Sequence, residues 1–264
     1  MKNTIDFGLF DFHISHIAAV EKCTVEDACC KAVQCGCSKV ECGFDAISEE
    51  KIRIYHDNGL KVSSIYCFLN FEQDVESRLA ALLDIAEKAS PCFVMPIPEK
   101  DNTPELRQKI IPRLIRLQKE LSDRKIIMVM EDYDGPDKSF ATSTGLLAYL
   151  DVIPGLKCCF DTGNFFYNGE DVLQVFPLFA DRIVHCHFKD RRLDETYAKF
   201  IGETASGVRT AYSEIGKGFL PVKEIFCALL ELGYKGSVIA EFAMCHDPLG
   251  TLRNSIAAMK QWQE

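Results

Sequence analysis

Nothing in this sequence is apolar for long enough to cross a membrane, positive charge is in the minority, and there is only one tryptophan in 264 residues. The first absence excludes a membrane-spanning helix, which needs about 20 consecutive apolar residues. The second, a net charge of −9, excludes a broad surface for nucleic acid or anionic lipid, because such partners repel a negative field. The start, MKNTIDFGLFDFHIS, has no sustained apolar core and is broken by Asp6 and Asp11, which argues against a secretory signal. Also lacking is any Pro/Gly/Ser-rich linker or break in composition. Residues 1–264 are therefore read as one domain with enough chain for a substantial core.

Cysteine, by contrast, is plentiful. There are 13, an odd number in a long chain, and six of them fall between Cys23 and Cys42. Their spacings match no metal knuckle, and they spread over an expected helix and the strand after it. Small buried thiols in the reducing cytoplasm, the expected compartment, account for them better than disulfides do.

Short apolar runs alternate with longer stretches of helical periodicity. Strands are predicted at 5–10, 38–44, 60–68, 92–96, 125–131, 156–161, 182–188 and 236–242. Their nearly continuous apolar character suits strands covered on both faces. Thr24 is placed to cap a helix that Gly36 ends, and Ser48 to open one that closes at Asn58-Gly59. Helical spacing recurs over 74–89 and 104–121, where Pro104 suits a first turn and Pro112 should kink or divide the helix. Further helices are expected over 142–151, 169–179 and 221–233, and from Pro248 onward. Eight such units predict an α/β fold closed as a (β/α)8 TIM barrel. About thirty residues, Lys189 to Gly218, separate strand seven from its helix, a long loop of the kind uncommon unless functional or disordered.

In such a barrel the reactive groups come from the C-terminal strand ends. Strand five ends on Glu131, strand six on Asp161 and strand eight on Glu241, while strand seven, in VHCHFKD, carries His185 and His187. Alone, each has a bland explanation, such as a turn cap at Asp161 or a hydrogen-bonded core histidine. Together, three acids at an apolar barrel mouth repel one another and need protons, strong hydrogen bonds or a cation. One divalent metal answers that most simply; three carboxylates and an imidazole suit Mn²⁺, Mg²⁺ or Co²⁺, and admit Zn²⁺. Both histidines point to one side of the strand. His187, nearer the rim, is the expected ligand, and His185 sits a layer below.

With these residues in order, the chain resembles the xylose-isomerase-like TIM-barrel superfamily of sugar isomerases and epimerases. The pieces that carry the resemblance are VMEDYDG, CFDTGN, VHCHFKD, EIGKGFLPVKEIFCALLELGYKG and VIAEF. It implies a metal held by Glu131, Asp161, His187 and Glu241, with Glu131 and Glu241 also exchanging a proton on opposite faces of the substrate. A cation at the carbonyl would stabilise the enediolate so formed. Asn164 stands where several epimerases carry a substrate-binding histidine, and can bond a hydroxyl but not carry a proton. Lys189 and Asp190 give strand seven the form of the sugar-phosphate isomerase and inosose-dehydratase branches. Apurinic endonucleases of the same superfamily need further His and Asp ligands that are missing here.

Other candidates for substrate contact are His185, Lys189, Arg192, His13 and Glu41. Arg191, Arg192 and Lys217 lie in polar runs where solvation is expected, although they could also receive an anionic substrate. His13 follows strand one in what reads as a polar loop. Glu41, inside strand two, needs a partner such as His185 or a substrate hydroxyl if it points inward. Tyr66 and Phe68 are placed to form an apolar wall. The expectation is a metal-dependent isomerase or epimerase of a small keto sugar or sugar phosphate. A keto-inositol (inosose) dehydratase and a non-catalytic sugar-binding barrel are the alternatives. The connection after strand seven is placed either to cover the site or to meet a second copy of the chain in a homo-oligomer.

Overall fold

Eight parallel strands close on themselves in the computed structural model, which describes residues 5–135, 137–243 and 245–264. They are β1 (Asp6–Phe10), β2 (Cys37–Gly43), β3 (Lys61–Leu69), β4 (Phe93–Pro98), β5 (Ile127–Met130), β6 (Lys157–Asp161) and β7 (Ile183–Phe188). Three further strands, β8 (Asp190–Arg192), β9 (Phe200–Glu203) and β10 (Arg209–Ser213), precede the last barrel strand, β11 (Ser237–Ala240), which pairs with both β7 and β1. Helices between the strands cover the outside of the barrel. The capping residues act as expected: the Thr24 hydroxyl accepts from the Asp27 N–H in a capping box, and the Ser48 hydroxyl accepts from the Lys51 N–H.

Three expectations are corrected. The connection after strand seven is not a plain loop, because β8, β10 and β9 form an antiparallel three-stranded sheet. The Asp190 carboxylate closes the base of this excursion. It accepts backbone N–H groups from Arg191 at 2.8 Å, Gly216 at 2.9 Å, Gly218 at 2.8 Å and Leu220 at 3.2 Å. A Cβ at Gly218 would run into that carboxylate and the Arg191 carbonyl, so the chain returns here only as glycine.

Second, His13 lies not in a polar loop but on a helix, Asp11–Glu21, that starts directly after β1. Third, Pro112 does not divide the helix, which is continuous over Pro104–Asp123. It sits on the exposed face, opposite the buried Ile110, Leu114, Leu117 and Leu121, where water can reach the carbonyl it leaves unpaired. The cysteines are free among the described residues, but of the six expected as small buried thiols only Cys29, Cys37 and Cys42 are buried; Cys23 and Cys35 are half-buried and Cys30 is exposed.

Candidate active site

Parallel register brings the strand ends to one level. Asp161 pairs with His187 across β6 and β7, and His187 with Ile239 across β7 and β11. The Glu241 N–H then donates to the Phe188 carbonyl at 2.9 Å. Glu131 and Glu241 are each the first residue beyond their strand, free to turn over the barrel mouth.

His187 is the centre. Its Nδ1 lies 2.7 Å from Glu131 Oε2, 3.9 Å from Asp161 Oδ2 and 4.0 Å from Glu241 Oε2. Lys189 Nζ lies 3.1 Å from both Asp161 Oδ2 and Glu241 Oε1 and donates to Asn164 Oδ1 at 2.9 Å. Asp161 Oδ1 accepts the N–H groups of Gly163 at 2.7 Å and Asn164 at 2.9 Å. Its Oδ2 has no aligned hydrogen bond, although Lys189 is within ion-pair reach. The Tyr212 hydroxyl of β10 donates to Glu241 Oε1 at 3.1 Å.

The electrostatics follow from this crowding. Burial pulls the Lys189 ammonium down, but Asp161 and Glu241 outweigh it and hold the group well above its ordinary value, so it stays charged. Burial pushes the Glu241 carboxyl up, against the pull of Lys189 and with the help of Asp161. Burial also lowers the His187 imidazole, yet Cys159, Glu41 and Glu131 raise it well above its usual range.

A layer below, Glu41 Oε2 lies 2.7 Å from His185 Nε2 and 3.0 Å from His187 Nε2. The Ser64 hydroxyl donates to the same oxygen. Burial raises this carboxyl, but the two imidazoles win and hold it below the ordinary carboxylate range. For His185 the balance reverses: burial outweighs Glu41 and the ring is pushed down, toward its neutral form.

Above this layer opens a cavity of about 180 Å³. Phe10, Tyr66, Phe68 and Met95 form an apolar wall, and Glu131, Asn164, Lys189 and Glu241 face it. The structure therefore brings Glu131, Asp161, Asn164, His187, Lys189 and Glu241 together. Glu41 and His185 lie beneath the cavity instead of lining it. His13 is buried elsewhere: its ring stacks on Phe242 at 4.1 Å, and Nε2 accepts the Phe242 N–H at 3.2 Å. Arg192 stays at the surface, paired with Asp194 at 3.2 Å and stacked over Tyr197. Arg191, expected in solvent, is fully buried between the rings of Tyr167 and Tyr212, at 4.9 and 4.2 Å.

Sequence reasoning passed over Asp132, Ser64 and Tyr212. Asp132 is buried with neither oxygen hydrogen-bonded, and burial with Asp161 and Glu131 beside it pushes its carboxyl well up. The two consecutive acids of VMED were the available signal. Tyr212 had none, since its approach depends on the added sheet.

The donor set fits a divalent cation. Ligand atoms of Glu131, Asp161 and His187 lie within 4.8 Å of one another, oxygen-rich and with a buried carboxylate oxygen that accepts no hydrogen bond, as suits a hard cation. Cys159, His185 and His187 group as closely, but there Glu41 already engages the Nε2 atoms of both rings.

Known proteins resemble this chain in sequence or in fold. An inosose dehydratase of Lacticaseibacillus casei is 38% identical over 85 residues, which is 31% of this chain and only 28% of that relative's length. Among solved structures, a probable 3-DHS dehydratase involved in petrobactin synthesis from Bacillus anthracis superposes with a TM-score of 0.77 at 17% identity, covering 97% of this chain and 99% of that one. A D-allulose 3-epimerase from Methylomonas sp., in complex with D-allulose, gives 0.73 at 14% identity, covering 98% and 97%. The family model described as xylose isomerase-like TIM barrel matches residues 31–262. With acids and an imidazole from β5, β6, β7 and β11 meeting over the barrel, and that match spanning nearly all of it, the chain belongs to the xylose isomerase-like TIM-barrel family.

Proposed function

We propose that this protein is a divalent-metal-dependent enzyme that removes the proton α to the carbonyl of a small polyhydroxylated ketone, and that it dehydrates a keto-inositol. One observation carries the reading: Glu131, Glu241 and a charged Lys189 line one cavity, with Lys189 Nζ 3.1 Å from Glu241 Oε1. Glu131, Asp161, His187 and Glu241 would hold the metal, with Mn²⁺, Mg²⁺ or Co²⁺ best suited. When bound there, it supplies positive charge that favours the enediolate.

The side chains do the rest. Phe10, Tyr66 and Phe68 exclude water from one side of the substrate, and Asn164 is placed to bond a hydroxyl. The Glu241 carboxylate accepts the α-proton as the C–H bond breaks. The β-hydroxyl leaves as its C–O bond breaks and takes a proton from Lys189 Nζ, departing as water. Glu241 then returns its proton to Lys189 across the 3.1 Å contact, so the pair is restored and the substrate loses one water. The partial match to inosose dehydratase supports this ending.

Epimerisation is the second reading, favoured because both Glu131 and Glu241 face the cavity, so one could remove the proton and the other return it. Incubating metal-loaded protein in D₂O with a keto-inositol and with keto-hexoses separates the two. An absorbing enone marks dehydration. Deuterium at the α-carbon with a new stereoisomer and no enone marks epimerisation. Neither, with any of these ketones, would defeat the enzymatic reading and favour a sugar-binding barrel.

A further inference from the structure

Glu41 was expected among substrate contacts, yet it is fully buried and lines no part of the cavity. One of its oxygens, Oε2, faces three groups: the Ser64 hydroxyl, His185 Nε2 at 2.7 Å and His187 Nε2 at 3.0 Å. A carboxylate oxygen only accepts hydrogen bonds, so a ring nitrogen facing it at this distance carries a proton. His185 agrees, because its Nδ1 is then free to accept from the Ser237 hydroxyl at 3.3 Å. For His187 the consequence is larger. Its Nδ1 faces Glu131 Oε2 at 2.7 Å, so the metal-free ring carries a proton there as well; a cation at the rim displaces that proton and leaves the one on Nε2, held by Glu41.

We propose that Glu41 is a positioning residue that fixes the tautomer of His187, keeping the proton on Nε2 so that Nδ1 can bind a divalent cation. This deepens the metal site proposed above and rests on it. The opposition comes from Glu131. Its Oε2 is 2.7 Å from Nδ1, a better distance than Glu41 has to Nε2. Without Glu41, a ring left with one proton keeps it on Nδ1, bonded to Glu131, and that one hydrogen occupies two ligand atoms together. Glu41 prevails because its oxygen is held in a dry interior by Ser64 and His185, where charge–dipole attraction is strong. A carboxylate behind a metal-bound imidazole typically sets ring orientation and basicity in this way.

Two variants separate the accepting oxygen from simple packing. Glu41→Gln keeps an oxygen that can accept both N–H groups, whereas Glu41→Leu fills similar space with none. The protein with ¹⁵N-labelled histidine would be followed by long-range ¹H–¹⁵N spectra, with and without Mg²⁺, and Mn²⁺ affinity measured in parallel. With Mg²⁺ bound, His187 is expected to carry its only proton on Nε2 in the wild type. Glu41→Leu should leave the metal-free ring a single proton on Nδ1 and weaken Mn²⁺ binding about 10- to 100-fold, with Glu41→Gln between the two. A wild-type His187 protonated on Nδ1 and bare on Nε2 would overturn the assignment. So would a folded Glu41→Leu that keeps the wild-type tautomer and affinity, or a Glu41→Gln as weak as Glu41→Leu. If Glu41→Leu does not fold, the wild-type spectra decide. A wild type that binds no divalent ion removes the metal reading, while the spectra still decide what Glu41 does.

Discussion

The rim of the barrel and the layer directly beneath it are built from the same residue types and treat them in opposite ways. Beneath, a single oxygen of Glu41 meets two imidazoles and a hydroxyl, and all these groups are buried. At the rim, Asp161 Oδ2 and both oxygens of Asp132 have no hydrogen bond, and one ammonium is shared by Asp161 and Glu241. The lower layer leaves one oxygen, Glu41 Oε1, without a hydrogen bond; the rim leaves three and crowds four carboxyl groups around a single ammonium. Buried charge without enough partners is costly. On the proposals above, the rim is where a cation gains most and the layer below keeps its histidine aimed.

The sharpest way to break this contrast is at the glutamates. Glu241→Gln, and likewise Glu131→Gln, should lower kcat by about 10²- to 10⁴-fold, the usual worth of a positioned acid or base. A steady-state assay on the preferred ketone would show it, with circular dichroism unchanged. Next in size is Lys189→Met, which leaves Asp161 and Glu241 facing each other. Loss of one partner of a buried ion pair costs about 3–5 kcal/mol, read by urea denaturation of metal-free protein. Saturating Mn²⁺ should return part of that loss, and no return would count against a cation among these acids.

A carboxylate in neither arrangement calibrates both. Burial raises the Asp11 carboxyl from 3.8 to about 6, only partly offset by Lys51 and the backbone N–H groups of Gly43 and Phe12. Between those values the folded protein holds a proton that the unfolded chain has released. Stability therefore falls as pH rises from 3.8 toward 6 and then levels. Asp11→Asn should remove the fall, gaining up to ~3 kcal/mol at pH 7 and almost nothing near pH 4, as paired urea titrations would show. The smallest effect is expected at Arg192→Ala. Its exposed pair with Asp194 is worth about 0–1 kcal/mol, and kcat/KM should stay within about twofold on the same principle.

The barrel was legible because its strands are apolar nearly throughout and its helices carry clear stripes and caps. So were the strand-end acids, since a parallel barrel delivers every strand end to one rim. The parts that escaped share one cause: their structure depends on distant residues. The helix Asp11–Glu21 buries Asp11 and His13 alongside Ile14 and Ile17, so no apolar stripe announces it. Arg191 reads as solvated among KDRR, and only the fold reveals that Tyr167 and Tyr212 enclose it. Strands as short as β8 and β9 have little pattern of their own and exist by pairing with β10.

The clasp at Asp190 has a wider consequence. The excursion leaves at Arg191 and comes back at Gly216, Gly218 and Leu220, and all four are fastened to a single carboxylate. Its endpoints are set locally, and lengthening a loop between fixed endpoints costs little, about 0.6 kcal/mol per doubling. Residues can therefore be added or deleted between β8 and β10 while β11 keeps its register. The excursion also supplies Tyr212 to Glu241, so such changes in length alter which molecules the mouth admits and leave closure of the barrel untouched. The clasp makes this segment a replaceable part, and the place where new substrates can be tried at least risk to folding.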